Sequence, residues 1–552
     1  AAFVRPPICV AVNAAACVNA CGGVGCEMPS NVSSDPLANS ATLTWSTVSG
    51  ASSYTLQWSV STTGPWQTVT GLSANSYTLL GLLSGATYLF RVRAECTGVS
   101  SAYCPIQMFA TPCTLGAACD DGIPQTENDH IEGDCVCTGT LLPGYYEQIN
   151  KVVASDRAFN DLFGQSVAIS GDYAIVGAPM EDHNATGGGF ASMAGSAYVF
   201  VRNGDSWTQQ QKIVASDRAA GDNFGICVAI SGDYAIVGAH SEDDDATGGN
   251  SAPDAGSAYV FKRSGNTWTQ QQKIVASDRA AADFFGISVA INGDRAIVGA
   301  YQEDQDVAGG NTLSSAGSAY IFVRNGSIWT EEQKIVASDR GFADYFGRSV
   351  AISGDFAIVG ANNEDPIGTG GTSVGNAGSA YVFHLSGNTW TQLQKIVAAD
   401  PSLGANFGYS VAMSDDLAIV GAPNEEEDET GGNAIDDAGA AYLFRLNGST
   451  WYQEQKIVAG DRGYTDNFGY SVAVSGDRVI VGAYVENEDA AGGNALGNSG
   501  SAYLYTRSAS AWSQLQKIVA SDRADNDKFG VSVAINGRYA FVGAYQEDED
   551  EF

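Results

Sequence analysis

Seven lysines, Lys151, Lys212, Lys273, Lys334, Lys395, Lys456 and Lys517, stand 61 residues apart, and the same text returns around each of them with substitutions. The copy that begins at Gln211 reads QKIVASDRAAGDNFGICVAISGDYAIVGAHSEDDDATGGNSAPDAGSAYVFKRSGNTWTQQ. A period of that length with no insertion in any copy restricts the chain to a closed ring or a stacked array of one supersecondary unit. Such a unit buries its apolar faces against copies of itself.

Each unit carries four strand signals. FGQSVAIS from Phe163, DYAIVGA from Asp172, GSAYVFVR from Gly195 and SWTQQQKIVA from Ser206 alternate or run apolar over strand length, with Gly- and Asp-containing turns between them. Four such strands make one twisted blade. Small residues on the first strand, such as Gly164, Ser166 and Ala168, suit the crowded innermost position of a ring. Trp207, Trp268, Trp329, Trp390, Trp451 and Trp512 share one phase, with Tyr146 in the first place, and are expected to pack between neighbouring blades. Phe-Gly followed by Gly-Ala, as in FG…VGAP at Phe163–Pro179 and Phe407–Pro423, resembles the FG-GAP repeat of integrin alpha-subunit heads and bacterial surface proteins. The resemblance implies an all-β, seven-bladed β-propeller over 145–552, with the last copy incomplete. In the integrin pattern calcium sits in an Asp-x-Asp-x-Asp-Gly hairpin. Here that hairpin is only SGD around Asp172, so integrin-type calcium sites are in doubt.

The acids lie elsewhere. One set occupies the loop between the second and third strands: Glu181 with Asp182, Glu242 with Asp243, Glu303 with Asp304, Glu364 with Asp365, then Glu425, Glu486 and Glu547. The other lies in the incoming SDRxxxDxFG loop: Asp156 and Asp161, Asp217 and Asp222, Asp278 and Asp283, Asp339 and Asp344, Asp461 and Asp466, Asp522 and Asp527. The fifth copy has Asp400, with Ala405 in the second place. Up-and-down strands put alternate connections on opposite ends, so both acidic loops open on one face. Clustered carboxylates repel unless they are solvated, paired or bound to a hard cation. Two readings stand open: a ring of Ca²⁺ sites wrapped by loops such as that at Gly187 and Gly188, or a solvated rim balanced in part by arginines such as Arg157 and Arg218.

Upstream the pattern changes. Residues 1–28 form a Cys-rich arm containing Cys9, Cys17, Cys21 and Cys26. Residues 29–113 carry short alternating runs, ATLTWS around Trp45, SYTLQWS around Trp58 and SYTLLGLLSGATYLFRVRAEC around Tyr88, that resemble a fibronectin type III β-sandwich. There Cys96 and Cys104 are spaced to staple the last hairpin. Residues 114–144 form a small module with Cys119, Cys135 and Cys137, preceded by Cys113; its cysteines point to disulfides rather than metal despite His130. Ten clustered cysteines imply an oxidising, secreted or cell-surface context, and the start at Ala1 reads as a processed, exported chain. A formal net charge of −35, from 62 acidic and 27 basic side chains, argues against nucleic-acid partners. No apolar run is long enough to span a membrane.

Catalysis finds little support. The four histidines, His130, His183, His240 and His384, do not recur as a set, and acids repeated in almost every blade are unlike a singular active site. Cys227, in the place of Ser166 and Ser288, is read as a small buried residue. The third strand recurs at Tyr198, Tyr259, Tyr320, Tyr381, Tyr442 and Tyr503, while the seventh copy reaches Phe552 before its own. The segment from Tyr145 is expected to close the ring as the seventh outer strand, leaving one place in that sheet. Either the natural chain continues, or the arm of another copy inserts there, since Ala2-Phe3-Val4-Arg5 is similar to the AYVFVR of complete blades. Donation of that kind runs head to tail and builds a filament. The expectation is therefore a non-enzymatic extracellular structural or adhesion protein, with an adhesin that reads glycans or proteins on the propeller face as the alternative.

Overall fold

The computed structural model describes residues 26–37, 40–60, 65–82, 87–111, 126–131, 137–141, 145–367, 372–508 and 511–547. The chain divides into two compact units, one up to Tyr145 and one from Tyr146 onward. All regular elements are strands, and no helix is long and apolar enough to cross a membrane among the described residues.

The first unit contains the sandwich. Strands Ser33–Leu37, Ser40–Thr44 and Ser76–Leu80 form one sheet; Gln67–Leu72, Ala51–Ser59, Thr87–Cys96, Val99–Ser100 and Gln107–Ala110 form the other. Alternate residues of both turn inward, so Leu43, Trp45, Leu56, Phe90 and Val92 make a shared core. The staple differs from the sequence expectation. Cys96 is bonded to Cys26, with Cα atoms 5.7 Å apart, and not to Cys104. Cys104 lies opposite Val92, whose carbonyl it meets at 2.9 Å and whose N–H it receives on sulfur at 3.2 Å. Val92 is four residues back along the strand from Cys96, about 13 Å at the ~3.3 Å rise of a strand, beyond disulfide reach. Further along, Thr126–Ile131 pairs with Cys137–Leu141 as an antiparallel hairpin. Cys9, Cys17, Cys21, Cys113, Cys119 and Cys135 lie outside the described residues.

The second unit is the propeller. Blade 1 is built from Ser166–Ser170, Tyr173–Ala178, Ser196–Asn203 and Ser206–Ile213, hydrogen-bonded in chain order, and five further four-stranded sheets repeat it. Among the described residues the seventh sheet has two strands, Val533–Asn536 and Tyr539–Val542. First strands from all seven sheets line an axial channel of about 260 Å³, each presenting a small residue at one level: Ala168, Ala229, Ala290, Ala351, Ala412, Ala473 and Ala534.

The motif glycines set how closely blades approach. A Cβ on Gly238 would stand 2.0 Å from the carbonyl oxygen of Gly286, which itself has φ +94°. The second strand of one blade and the Phe-Gly turn of the next thus touch backbone to backbone, which no other residue allows. The same contact joins the two ends of the repeat, because a Cβ on Gly543 would stand 2.0 Å from the oxygen of Gly164. Outer contacts are aromatic, as expected: Trp268 packs edge-on against Tyr173 at 6.0 Å and Trp329 against Tyr234 at 6.1 Å.

Candidate functional site

The lysine that marks the repeat is the counterion of the acidic face. In blade 3, Lys334 Nζ donates to Asp278 at 2.7 Å and to Glu303 at 2.7 Å. Lys273 stands 2.9 Å from Asp217 and 2.8 Å from Glu242, Lys395 2.8 Å from Asp339 and 2.7 Å from Glu364. Lys456 bridges Asp400 and Glu425, Lys517 bridges Asp461 and Glu486, and Lys212 bridges Asp156 and Glu181. The third strand completes the knot: the Tyr320 hydroxyl donates to Asp278 at 2.7 Å and the Ser318 hydroxyl to Glu303 at 2.7 Å. Both acidic loops therefore meet at one end of each blade. The sequence shows the lysine's period but not its partners, which lie 56 and 31 residues before it.

The remaining acids tie down loop backbone. Asp161, Asp222, Asp283, Asp344, Asp466 and Asp527 each accept the N–H three residues before them, at 2.5–2.7 Å. Asp182, Asp243, Asp304 and Asp365 each accept an N–H eleven residues on, at 2.7–2.9 Å. Burial, opposed by that backbone bond and reinforced by the neighbouring negative charges, pushes Asp222, Asp283 and Asp466 up to about 7 and Asp344 up to about 6. Asp156 and Asp339 behave oppositely: burial opposes the shift, yet the lysine and tyrosine beside each hold it below the ordinary range. The arginines of this loop also reach backbone carbonyls. Arg218 donates to the carbonyls of Gly189 and Asp182 in the preceding blade, and Arg279, Arg340, Arg462 and Arg523 repeat this. Among the described residues one cluster of three acids, Asp461, Glu486 and Glu488, has ligand atoms within 4.8 Å of one another, and Lys517 already pairs with two of them.

The second distinctive place is the seam between the ends of the repeat. Tyr146 exchanges two hydrogen bonds with Gln516, at 2.9 and 2.8 Å, as Trp268 does with Gln211 at 2.8 and 2.7 Å. Lys151 pairs with Asp522 at 2.7 Å and Glu547 at 3.3 Å. The segment from Tyr146 thus holds the position of the seventh outer strand. No described residue takes the third-strand position between it and Tyr539–Val542. The effect is visible in burial: Ala540, Phe541 and Val542 are half-buried, whereas the second strands of the other blades are buried almost throughout. Phe163 and Phe529 flank the seam and are half-buried, while Phe224, Phe285, Phe346, Phe407 and Phe468 are buried to 1% exposure or less.

Cys227 donates its thiol to the Gly286 carbonyl at 3.0 Å, as the Ser288 hydroxyl does to Gly347 at 2.8 Å. Burial pushes the half-buried thiol up to about 12, which favours its protonated form at neutral pH.

Comparison with known proteins agrees with this architecture. The family model described as FG-GAP repeat matches residues 146–200, 207–261, 268–322, 329–383, 390–444, 451–505 and 512–551. The fibronectin type III domain model matches residues 27–105. Among solved structures, an Fn3-like protein from Clostridium thermocellum is 29% identical over 16% of this chain and 96% of its own, with a TM-score of 0.15. A computationally redesigned β-sandwich protein is 21% identical over 15% and 94%, also with a TM-score of 0.15. No curated protein matches the chain significantly.

Proposed function

Because the chain belongs to the FG-GAP repeat family, we propose that it is a non-enzymatic extracellular structural protein that assembles head to tail, the seventh blade of one copy receiving the N-terminal arm of the next. FG-GAP and fibronectin type III domains fit an extracellular adhesion or structural role. The observation that carries the finer reading is the half-exposed strand Tyr539–Val542, flanked by half-buried Phe163 and Phe529. A strand edge with apolar faces on both sides invites strand addition. A donated strand brings backbone partners for that edge and apolar side chains for the two phenylalanines. Residues 1–12, the proposed donor, lie outside the described residues. Micrographs and light scattering of the protein with and without residues 1–12 test the reading. Filaments in the full protein and monomers in the deletion support it; filaments that persist unchanged, or a full protein that stays monomeric, overturn it.

We also propose Ca²⁺ as a ligand of the acidic face, at the backbone-tying acids rather than the lysine-paired ones. Lys334 and its counterparts already supply positive charge between Asp278 and Glu303, whereas Asp222, Asp283 and Asp466 are buried carboxylates beside like charges. A hard cation with oxygen ligands relieves that cost. A thermal melt with chelator and with added calcium decides: a higher melting temperature in calcium supports the reading, and identical melts remove calcium as a structural ligand.

A further inference from the structure

The acidic face has a centre unlike its rim. Where the first strands begin, around the mouth of the axial channel, the repeat stops repeating. The residue after each Phe-Gly is Gln165, Ile226, Ile287, Arg348, Tyr409, Tyr470 and Val531 in turn. The Arg348 guanidinium donates to the Tyr409 hydroxyl at 2.9 Å and lies 4.8 Å from the centre of that ring. On its other side the Tyr301 ring is 5.9 Å away. From Tyr409 the aromatic arc continues to Tyr470 at 4.9 Å and Tyr484 at 4.1 Å, ending with Lys528 Nζ 5.2 Å over Tyr484. From Tyr301 it runs the other way to Tyr345 at 5.3 Å.

Neither Arg348 nor Lys528 forms an ion pair with a carboxylate among the described residues, whereas the lysines of the rim are each held by two. All the rings of the arc are half-buried, so each keeps part of its surface open to solvent. His240, nearby, is pushed down to about 4 by burial and adds no charge at neutral pH. In a chain of net charge −35, two cations left without acids and set among ring faces and phenol hydroxyls form a local positive site. A guanidinium is matched to a carboxylate, which it binds through paired N–H donors. Aromatic faces suit a ligand with an apolar face of its own, and phenol hydroxyls suit one with many hydroxyl groups.

We propose that the channel mouth on the acidic face binds a carboxylate-bearing sugar, a hexuronate residue, with Arg348 on the carboxylate and Tyr409 and Tyr470 against the ring. The acidic rim around the mouth disfavours densely charged polyanions and leaves room for a ligand with one charge per sugar. The site is built from residues that vary between blades, so it is single although the fold around it is sevenfold.

Isothermal titration of the full chain with glucuronate and galacturonate oligosaccharides tests this, with the corresponding neutral glucose and galactose oligosaccharides as controls. Binding of the acidic series, at least tenfold tighter than the neutral series and lost at least tenfold in Arg348→Gln, is the expected result. Tyr470→Ala removes a ring placed against the sugar and is expected to weaken binding of the acidic series at least tenfold. Melting temperatures of both variants establish that they fold. Equal binding of neutral and acidic sugars, no binding of either at millimolar concentration, or full binding by a folded Arg348→Gln variant overturns the proposal.

Discussion

Six blades and the seam are made from the same text, and among the described residues the seam departs from the blades mainly in its outer half. Near the axis the ring is unbroken: Gly543 meets the Gly164 carbonyl as Gly238 meets Gly286, and the Ser532 hydroxyl donates to Gly164 at 2.7 Å as Ser288 does to Gly347. Further out, among the described residues Tyr539–Val542 has a hydrogen-bonded neighbour on one side only, whereas Arg295–Ala300 is a central strand between two. Closure therefore rests on these inner contacts together with the Tyr146–Gln516 and Lys151–Asp522 bonds farther out. Substitutions that act on both places separate the two. Gly299→Ala would put a Cβ 2.0 Å from the Gly347 oxygen inside a sheet that cannot shift, and is expected to abolish folding, a cost above about 4 kcal/mol. Gly543→Ala meets the Gly164 oxygen at the same 2.0 Å, but just past the end of the half-buried strand Tyr539–Val542, so a folded protein with a lowered melting temperature is expected. Equal loss of soluble protein in both variants would show that the seam is as rigid as an interior interface.

The lysine knots sharpen the contrast at a smaller scale. Lys334→Met leaves Asp278 and Glu303 facing each other without their counterion and is expected to destabilise by about 3–5 kcal/mol in chemical denaturation. The side chain of Lys151 keeps 15% of its surface exposed against 7% for Lys334, so water screens its acids and Lys151→Met should cost distinctly less. A larger loss at Lys151 would mean that the seam is held mainly by this ion pair.

The pH dependence distinguishes the buried acids from the lysine-paired ones. Asp222, Asp283 and Asp466 have folded values of about 7 against an ordinary 3.8, so the folded chain holds protons that the unfolded chain releases. Their contribution to stability is complete below pH 4 and is lost as pH rises to 7. Asp156 and Asp339, held below the ordinary range, contribute above pH 4 and lose that contribution as pH falls. With chelator present, the melting temperature is expected to fall by several degrees between pH 5 and 8. Replacing the three raised aspartates by asparagine should flatten that slope; an unchanged slope would assign it to other groups.

What could be read beforehand follows from distance along the chain. Strand pattern, turn glycines and the Trp phase are local and recur in six or seven copies, so the blades and the common face of the acidic loops were legible. The lysine's role was not, because it stands on the fourth strand and its partners come from two loops 56 and 31 residues before it. Cys26–Cys96 was missed because spacing favoured the near pair, and only the strand register shows Cys104 beside Val92. The arc around Arg348 was the least legible of all. Departures from a repeat look like drift until closure of the ring brings Tyr301, Arg348, Tyr409 and Tyr470 side by side.

The smallest effect is expected at the one inner position where the text departs from serine. Cys227 makes the same bond to the next blade's glycine carbonyl as Ser288, Ser349, Ser410, Ser471 and Ser532 do, at 2.7–3.0 Å throughout. The thiol is larger than a hydroxyl and a weaker donor. Cys227→Ser exchanges packing for a stronger hydrogen bond at nearly constant shape, and is expected to change stability by less than about 1 kcal/mol. The parent thiol should resist a thiol reagent in the native protein and react on unfolding, since burial holds its pKa near 12. A shift larger than that on Cys227→Ser would mean that the ring is not uniform near its axis.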